Sequence, residues 1–174
     1  MSMQRIVAFM LLLFFSEGSL FYWLLPDSLV SRVVPHFTFA FVLFAALYRG
    51  RHTAVLLGLF FGLLQDAAFY GNIIGVHSFA MAVIGYLVGL TMEKRRSTML
   101  MGLSVIVLST LVYETIIYYI YRLFRLTHQT YEWALMDHIL PSLFLQFGFA
   151  LIFYIPARRW YEGSIKKKVE EEEE

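Results

Sequence analysis

The stretch from Thr53 to Gly89 constrains the fold most, because it joins two apolar segments and places a carboxylate inside the first. On an α-helix, Gly58, Gly62 and Asp66 form one narrow stripe, since they follow one another at intervals of four. Glycines in such a stripe let a neighbouring helix approach closely in lipid. An aspartate in the same row is costly in hydrocarbon and is expected to face protein or water. The stretch therefore indicates a pair of closely packed membrane helices.

The overall composition supports a membrane protein. The chain has 174 residues, of which 59% are hydrophobic and 16% are charged, and its mean hydropathy is +0.65. This leaves too little polar surface for a soluble domain of this length. The net charge is +1 and no basic groove or stacking motif is visible, so nucleic acid is not an expected partner. The absence of cysteine excludes disulfides, thiolate metal sites and cysteine nucleophiles.

Six apolar segments are predicted to cross the membrane, which makes the fold all-α: Ile6–Leu25, Val33–Tyr48, Thr53–Tyr70, Ile73–Met92, Thr98–Tyr121 and Ile139–Pro156. The first would cover about 30 Å, roughly one hydrocarbon core. Gly71 and Asn72 form a tight turn pair that joins the third and fourth spans as an antiparallel hairpin. All four prolines fall at or near predicted span ends, so no span is expected to be broken in its interior.

Two regions follow from this pattern. Residues 1–157 are predicted to form a six-helix transmembrane domain. Residues 158–174 contain a basic cluster followed by an acidic run, and we predict that they form a disordered cytoplasmic tail.

The positions of Lys and Arg orient the predicted spans. With the N-terminus in the cytoplasm, eleven of these residues lie inside: Arg5, Arg49, Arg51, Lys94, Arg95, Arg96, Arg158, Arg159, Lys166, Lys167 and Lys168. Only Arg32, Arg122 and Arg125 lie outside. This bias predicts that both termini are cytoplasmic.

Three carboxylates fall inside predicted spans, at Glu17, Asp66 and Glu114. His77 lies about as far beyond the Gly71–Asn72 turn as Asp66 lies before it, so the two side chains are expected at the same depth. Two interpretations are open for this region. One is an outward-facing polar pocket or proton site. The other is a structural bridge, in which Asp66 caps or links helices through hydrogen bonds.

The fourth span has a face of small residues with 3-4-3-4 spacing, formed by Gly75, Ser78, Ala82, Gly85 and Gly89. This spacing is typical of a helix–helix seam. Together with the glycines of the third span, it predicts close packing either between these two spans or against a partner helix.

No catalytic arrangement is visible. His77 and Ser78 are adjacent, and neighbouring residues on a helix diverge by about 100°, so they do not form a nucleophile–base pair. The five histidines show no metal-ligand spacing, and there is no phosphate-binding loop. We therefore predict a protein that is not an enzyme and has no cofactor or metal.

One family resemblance is carried by the run Gly58-x-x-x-Gly62-Leu63-x-x-Asp66, followed by Gly75 and then by Gly85-Tyr86-x-x-Gly89. This segment resembles the hallmark segment of the rod shape-determining protein MreD family. The resemblance implies a bacterial inner-membrane component of the cell-wall elongation machinery. It implies as partners MreC, RodA with its class B penicillin-binding protein, and indirectly the MreB filament, besides membrane lipid. It implies no catalytic residues.

The resemblance also implies a fold similar to the substrate-binding S component of energy-coupling-factor transporters. We therefore predict a scaffold of lateral wall synthesis that acts by helix packing. The alternative is a substrate-binding subunit of a vitamin transporter, with an outward pocket near Asp66, His77 and Glu114. A transporter subunit needs a roomy cavity with several convergent polar groups, whereas a scaffold is free to fill that volume with its 17 Phe and 11 Tyr residues.

Overall fold

The computed structural model describes residues 3–20, 32–69, 73–92 and 98–172, with backbone alone for residues 162–172. These residues form helices and turns, without a strand among them. The helices are α1 (Met3–Phe15), which continues as a π-helical turn over Ser16–Leu20, α2 (Phe37–Arg49), α3 (Arg51–Ala68), α4 (Val76–Met92), α5 (Met99–Leu123), α6 (Tyr131–Ala134), a second π-helical turn (Leu135–Ile139) and α7 (Leu140–Glu172).

Helix α2 lies at the centre of the bundle. Every residue from Phe39 to Ala46 is fully buried, as expected of a helix that is apolar on all sides. Its 13 residues begin four positions later than the predicted start of the second span at Val33. The reason is Pro35, which disfavours helical geometry at the residue before it.

Helices α3 and α4 form the most extensive interhelical contact of the described residues. Helix α3 follows α2 after a single residue, Gly50, whose φ of 89° requires a left-handed backbone. The predicted turn at Gly71–Asn72 lies outside the described residues, as do the predicted end of the first span beyond Leu20 and the predicted cytoplasmic loop at residues 93–97.

Two described helices are long and apolar enough to cross a membrane, Met99–Leu123 and Tyr131–Tyr161, and α2 and α4 are shorter apolar helices. The first begins where predicted, because the Thr98 hydroxyl accepts a hydrogen bond from the Met101 amide as an N-cap. The second begins eight residues before its predicted start at Ile139, since the π-helical turn carries the helix across the polar Asp137 and His138. The number of spans stays a prediction.

The last helix also differs from the prediction at its other end. Pro156 lies inside α7 rather than at its end. Membrane helices tolerate an interior proline when neighbouring groups satisfy the carbonyl that loses its donor. The backbone then stays helical to Glu172, in keeping with the Lys and Glu residues of this segment, which are good helix formers. The disorder of residues 158–174 stays a prediction. The domain boundary at residue 157 stays a prediction.

Candidate functional site

The glycines of α3 lie against the backbone of α4. A β-carbon added at Gly62 would stand 2.3 Å from the Ser78 Cα atom. One added at Gly58 would stand 3.0 Å from the Ala82 nitrogen and from the Met81 carbonyl carbon. Because these neighbours are backbone atoms, neither position has room for a side chain.

The small residues of α4 lie against α3 in the same way. A β-carbon at Gly89 would stand 2.5 Å from the Arg51 Cα atom, and one at Gly85 would stand 3.3 Å from the Ala54 Cβ atom. The sequence left open whether these two small faces pack against each other or against a partner helix. The structure places them against each other. We call this contact the α3–α4 seam, defined by Gly58, Gly62, Ser78, Ala82, Gly85 and Gly89.

Gly75 is not part of this seam, which corrects its assignment to the packing face. It precedes α4, it has a φ of 103°, and a β-carbon there would meet nothing within 4 Å. The 3-4-3-4 pattern included it because the spacing alone does not show where the helix begins. Its role is that of a turn residue with a left-handed backbone.

Asp66 is fully buried and caps the start of α4. Its Oδ2 atom accepts the backbone N–H groups of Gly75 at 2.9 Å and Ser78 at 3.2 Å. Its Oδ1 atom accepts the backbone N–H of His77 at 3.2 Å and lies 2.8 Å from the His77 Nδ1 atom. A helix N-terminus has unsatisfied N–H groups and a partial positive charge. The carboxylate of α3 thus supplies the N-cap that α4 lacks in its own sequence.

The His77 ring links this cap to α5. It packs edge-on near Tyr113 and Tyr121, at centroid distances of 6.1 Å and 6.3 Å. The expected meeting of Asp66 and His77 therefore occurs, and it ties three helices together in the described part of the chain.

Glu17 forms a second cap of the same kind. It lies in the first π-helical turn with 4% of its surface exposed. Its two carboxylate oxygens accept the backbone N–H of Thr38 at 2.5 Å, the Thr38 hydroxyl at 2.9 Å and the Gln65 amide at 2.9 Å. Thr38 is in the first turn of α2, so Glu17 caps the central helix.

Glu114 pairs with His36, a residue that the sequence analysis did not single out. The Glu114 Oε1 atom lies 2.7 Å from the His36 Nε2 atom, and His36 is 3% exposed. The His36 carbonyl accepts a hydrogen bond from the Gln146 amide of α7 at 2.9 Å. His36 directly precedes α2, so this pair joins the entry of the central helix to α5 and α7. The signal in the sequence was its position next to Pro35, at the edge of an apolar span.

The described residues do not place Asp66, His77 and Glu114 around one cavity, and the predicted pocket of these three residues stays a prediction. Tyr113 lies between the two histidines, with its ring 5.1 Å from that of His36. A cavity of about 380 Å³ is lined by Glu114, while neither Asp66 nor His77 lines it. Across the described residues, no group of three His, Asp or Glu side chains is arranged to hold a metal ion.

These contacts define a class of protein: a helical membrane protein in which buried carboxylates cap helices and small residues form an internal seam. The rod shape-determining protein MreD family model matches residues 3–163, so the chain belongs to this family. It is 25% identical over 170 residues to the rod shape-determining protein MreD of Bacillus subtilis (strain 168), and the match covers 96% of this chain and 98% of the relative.

The predicted family is therefore confirmed, and with it a role in rod shape determination. The vitamin-transporter alternative is not supported, because the family match covers nearly the whole chain. No solved structure matches the chain, so its likeness to an S component stays a prediction.

Proposed function

We propose that this protein is a non-enzymatic scaffold of the rod elongation complex in the bacterial plasma membrane, where it directs lateral peptidoglycan synthesis. The observation that carries the proposal is the family match over residues 3–163. Its partners would be MreC and RodA with its class B penicillin-binding protein, and indirectly MreB. Both termini would lie in the cytoplasm, in keeping with the positions of Lys and Arg.

The chemistry of the polar core supports a scaffold. The Asp66 and Glu17 carboxylates accept hydrogen bonds from backbone amides and neighbouring side chains, and Glu114 is held by His36. Groups bound in this way fix helix positions. A rigid bundle is what a scaffold needs in order to hold partners at defined positions.

A surface for a partner helix is available between α5 and α7. We call it the α5–α7 groove. Its volume is about 640 Å³, and it is lined by Met99, Leu100, Leu103, Ser104, Val107, Leu108, Leu140, Leu143, Phe144, Phe147 and Leu151. Leu100 and Phe144 are 79% and 77% exposed. Gly148 lies on the same helical face as Phe144 and Leu151, and a β-carbon there would meet nothing within 4 Å.

We assign this groove to the transmembrane helix of MreC. The α3–α4 seam is already occupied within the chain, so it is not available to a partner. The groove combines small residues with exposed large apolar ones, the combination that lets helices pack closely in lipid.

The test is co-purification of tagged MreC with two groove variants, Ser104→Leu and Gly148→Leu. The matched control is Leu56→Phe on α3, since Leu56 is 69% exposed and lies outside the groove. We expect both groove variants to fold and insert normally but to recover much less MreC, and cells that depend on them to become round. Normal recovery with the double variant would assign the partner to another surface.

A further inference from the structure

Two cavities adjoin at the end of the bundle where α5 finishes. The first, of about 380 Å³, is lined by Glu114 together with Tyr118, Tyr121, Trp133 and His138. The second, of about 420 Å³, is lined by Arg122, Arg125 and His128. Thr127 lines both. One cavity therefore holds a carboxylate among aromatic rings, and its neighbour holds two guanidinium groups.

A short hydrogen-bond chain fixes the two cavities relative to each other. The Arg122 guanidinium donates to the Tyr118 hydroxyl at 2.9 Å, and that hydroxyl donates to the Gln129 carbonyl at 2.8 Å. The Arg122 Cζ atom also lies 6.0 Å from the centre of the Tyr118 ring. Tyr118 thus belongs to the wall of the first cavity and holds a cation of the second.

The first cavity suits an ammonium group. Oε1 of Glu114 is bound to His36, while the side chain keeps 16% exposure and lines the cavity, which leaves the other oxygen as an acceptor. The Tyr121 hydroxyl is buried and has no hydrogen-bond partner among the described residues. A carboxylate surrounded by Tyr and Trp rings is an arrangement that binds organic cations.

The second cavity suits a phosphate. Guanidinium groups bind phosphate oxygens with paired hydrogen bonds. Arg125 has a φ of 58°, a left-handed conformation that is uncommon outside glycine and is often found at functional sites. The Asp137 carboxylate is already paired with Arg32 at 3.4 Å.

The chain around these arginines points to a lipid. Leu123, Phe124 and Leu126 are 79%, 60% and 47% exposed. Apolar side chains interleaved with arginines at the end of a membrane helix place the guanidinium groups at headgroup level and the apolar groups against acyl chains.

We propose that the paired cavities bind the phosphoethanolamine headgroup of a membrane phospholipid. The ammonium group lies at Glu114 and Tyr121, and the phosphate lies at Arg122 and Arg125. The proposal does not depend on the partners of the rod complex.

The test uses the full-length protein in detergent with short-chain lipids. Binding of dihexanoyl phosphatidylethanolamine is compared with that of dihexanoyl phosphatidylglycerol, which keeps the phosphate but lacks the amine, and with free O-phosphoethanolamine, which lacks the acyl chains. We expect the ethanolamine lipid to bind about tenfold more tightly than either of the others, as loss of one charge-assisted contact predicts.

Two variants test the two cavities separately. Arg125→Asn keeps a residue that accepts the left-handed conformation and removes the guanidinium. Tyr121→Phe removes only the unpartnered hydroxyl. Matched controls are Arg159→Asn and Tyr119→Phe, since Arg159 and Tyr119 line neither cavity and both are exposed. Each test variant is expected to lower affinity for the ethanolamine lipid, while each control leaves it unchanged.

Three outcomes would overturn the proposal. Equal binding of the two lipids would show that the arginines attract any anionic headgroup and that the amine is not recognised. Equal binding of free phosphoethanolamine would identify a soluble ligand instead of a lipid. Unchanged affinity in both test variants, with folding verified by the unfolding midpoint, would show that lipid binds elsewhere.

Discussion

The α3–α4 seam and the α5–α7 groove are both built from small and apolar residues, yet they differ in what fills them. At the seam, the position of a Gly62 β-carbon is already taken by backbone of α4. Next to the groove, the position of a Gly148 β-carbon is open. The seam also has a carboxylate cap at its end, and the groove lining contains no charged residue. Small residues therefore do not by themselves show that a helix is packed against them. In this protein, the small face that has a carboxylate cap at its end is the one packed within the chain.

The largest effect is expected from Gly62→Leu. Its first side-chain atom would meet the backbone of Ser78, which is not free to rotate away as a side chain would be. We expect a loss of about 3 kcal/mol or more, measured as loss of folded protein in a detergent unfolding assay. Gly148→Leu makes the same change at an open position and should leave the unfolding midpoint nearly unchanged. Equal stability of the two variants would break the distinction between seam and groove.

Asp66→Leu is expected to have the second-largest effect on stability. It leaves the N–H groups of Gly75, His77 and Ser78 without their acceptor in a buried site, at a cost of about 1–3 kcal/mol for each unsatisfied group. Asp66→Asn should fall between wild type and Asp66→Leu, because the amide keeps one acceptor oxygen but turns an NH₂ group toward donors. Thermal unfolding of both variants at matched expression gives the order of their stabilities. A stability of Asp66→Asn equal to that of the wild type would contradict the role of Asp66 as a cap.

Glu17→Gln should have a smaller effect. The amide oxygen still accepts from the Thr38 N–H, while the new NH₂ group faces the Gln65 amide. We expect a loss of about 1–2 kcal/mol. Adding Gln65→Glu should restore a donor–acceptor pair, because the amide introduced at position 17 then faces a carboxyl group. The cycle of unfolding midpoints for both single variants and the double variant measures this coupling, and purely additive losses would show that the pair does not interact.

Phe144→Ala should have the smallest effect on stability. Its side chain is 77% exposed in the α5–α7 groove, so the unfolding free energy should change by less than about 0.5 kcal/mol. Recovery of MreC should fall nonetheless, since a large apolar contact is removed from the proposed interface. Leu56→Ala, exposed to a similar degree on α3, serves as the control for both measurements. A fall in stability without a fall in recovery would place Phe144 in the core instead.

The sequence predicted the pairing of Asp66 with His77 because both lie at equal distances from the same turn. It also predicted that the small faces of the third and fourth spans pack closely against a helix, since periodic glycines are visible without coordinates, but it left open whether that helix belongs to this chain or to a partner. It could not predict that Glu17 caps α2 or that His36 binds Glu114, because these pairs join residues 21 and 78 positions apart. Such contacts depend on how the helices are arranged in space, which local spacing does not encode.

The ends of helices were predicted less well for a related reason. Pro156 and the turn at Leu135–Ile139 both lie within one long helix, although a proline and a polar pair usually indicate an end. A helix that packs along much of its length tolerates one missing hydrogen bond. Gly75 shows the opposite case, since it fits the helical pattern and lies outside the helix.

The central position of α2 has a consequence for biosynthesis. Helix α7 is made after α2 and covers it through the stacked pair Phe37 and Phe149 and through the hydrogen bond from the Tyr161 hydroxyl to the Phe41 carbonyl. Until α7 arrives, one side of α2 faces acyl chains. The side chains that α2 presents to α7 include Phe37, Phe41, Phe44 and Tyr48. These aromatic side chains suit lipid before α7 is made and suit the protein interior afterwards, so the nascent chain is able to keep α2 in the bilayer until α7 encloses it.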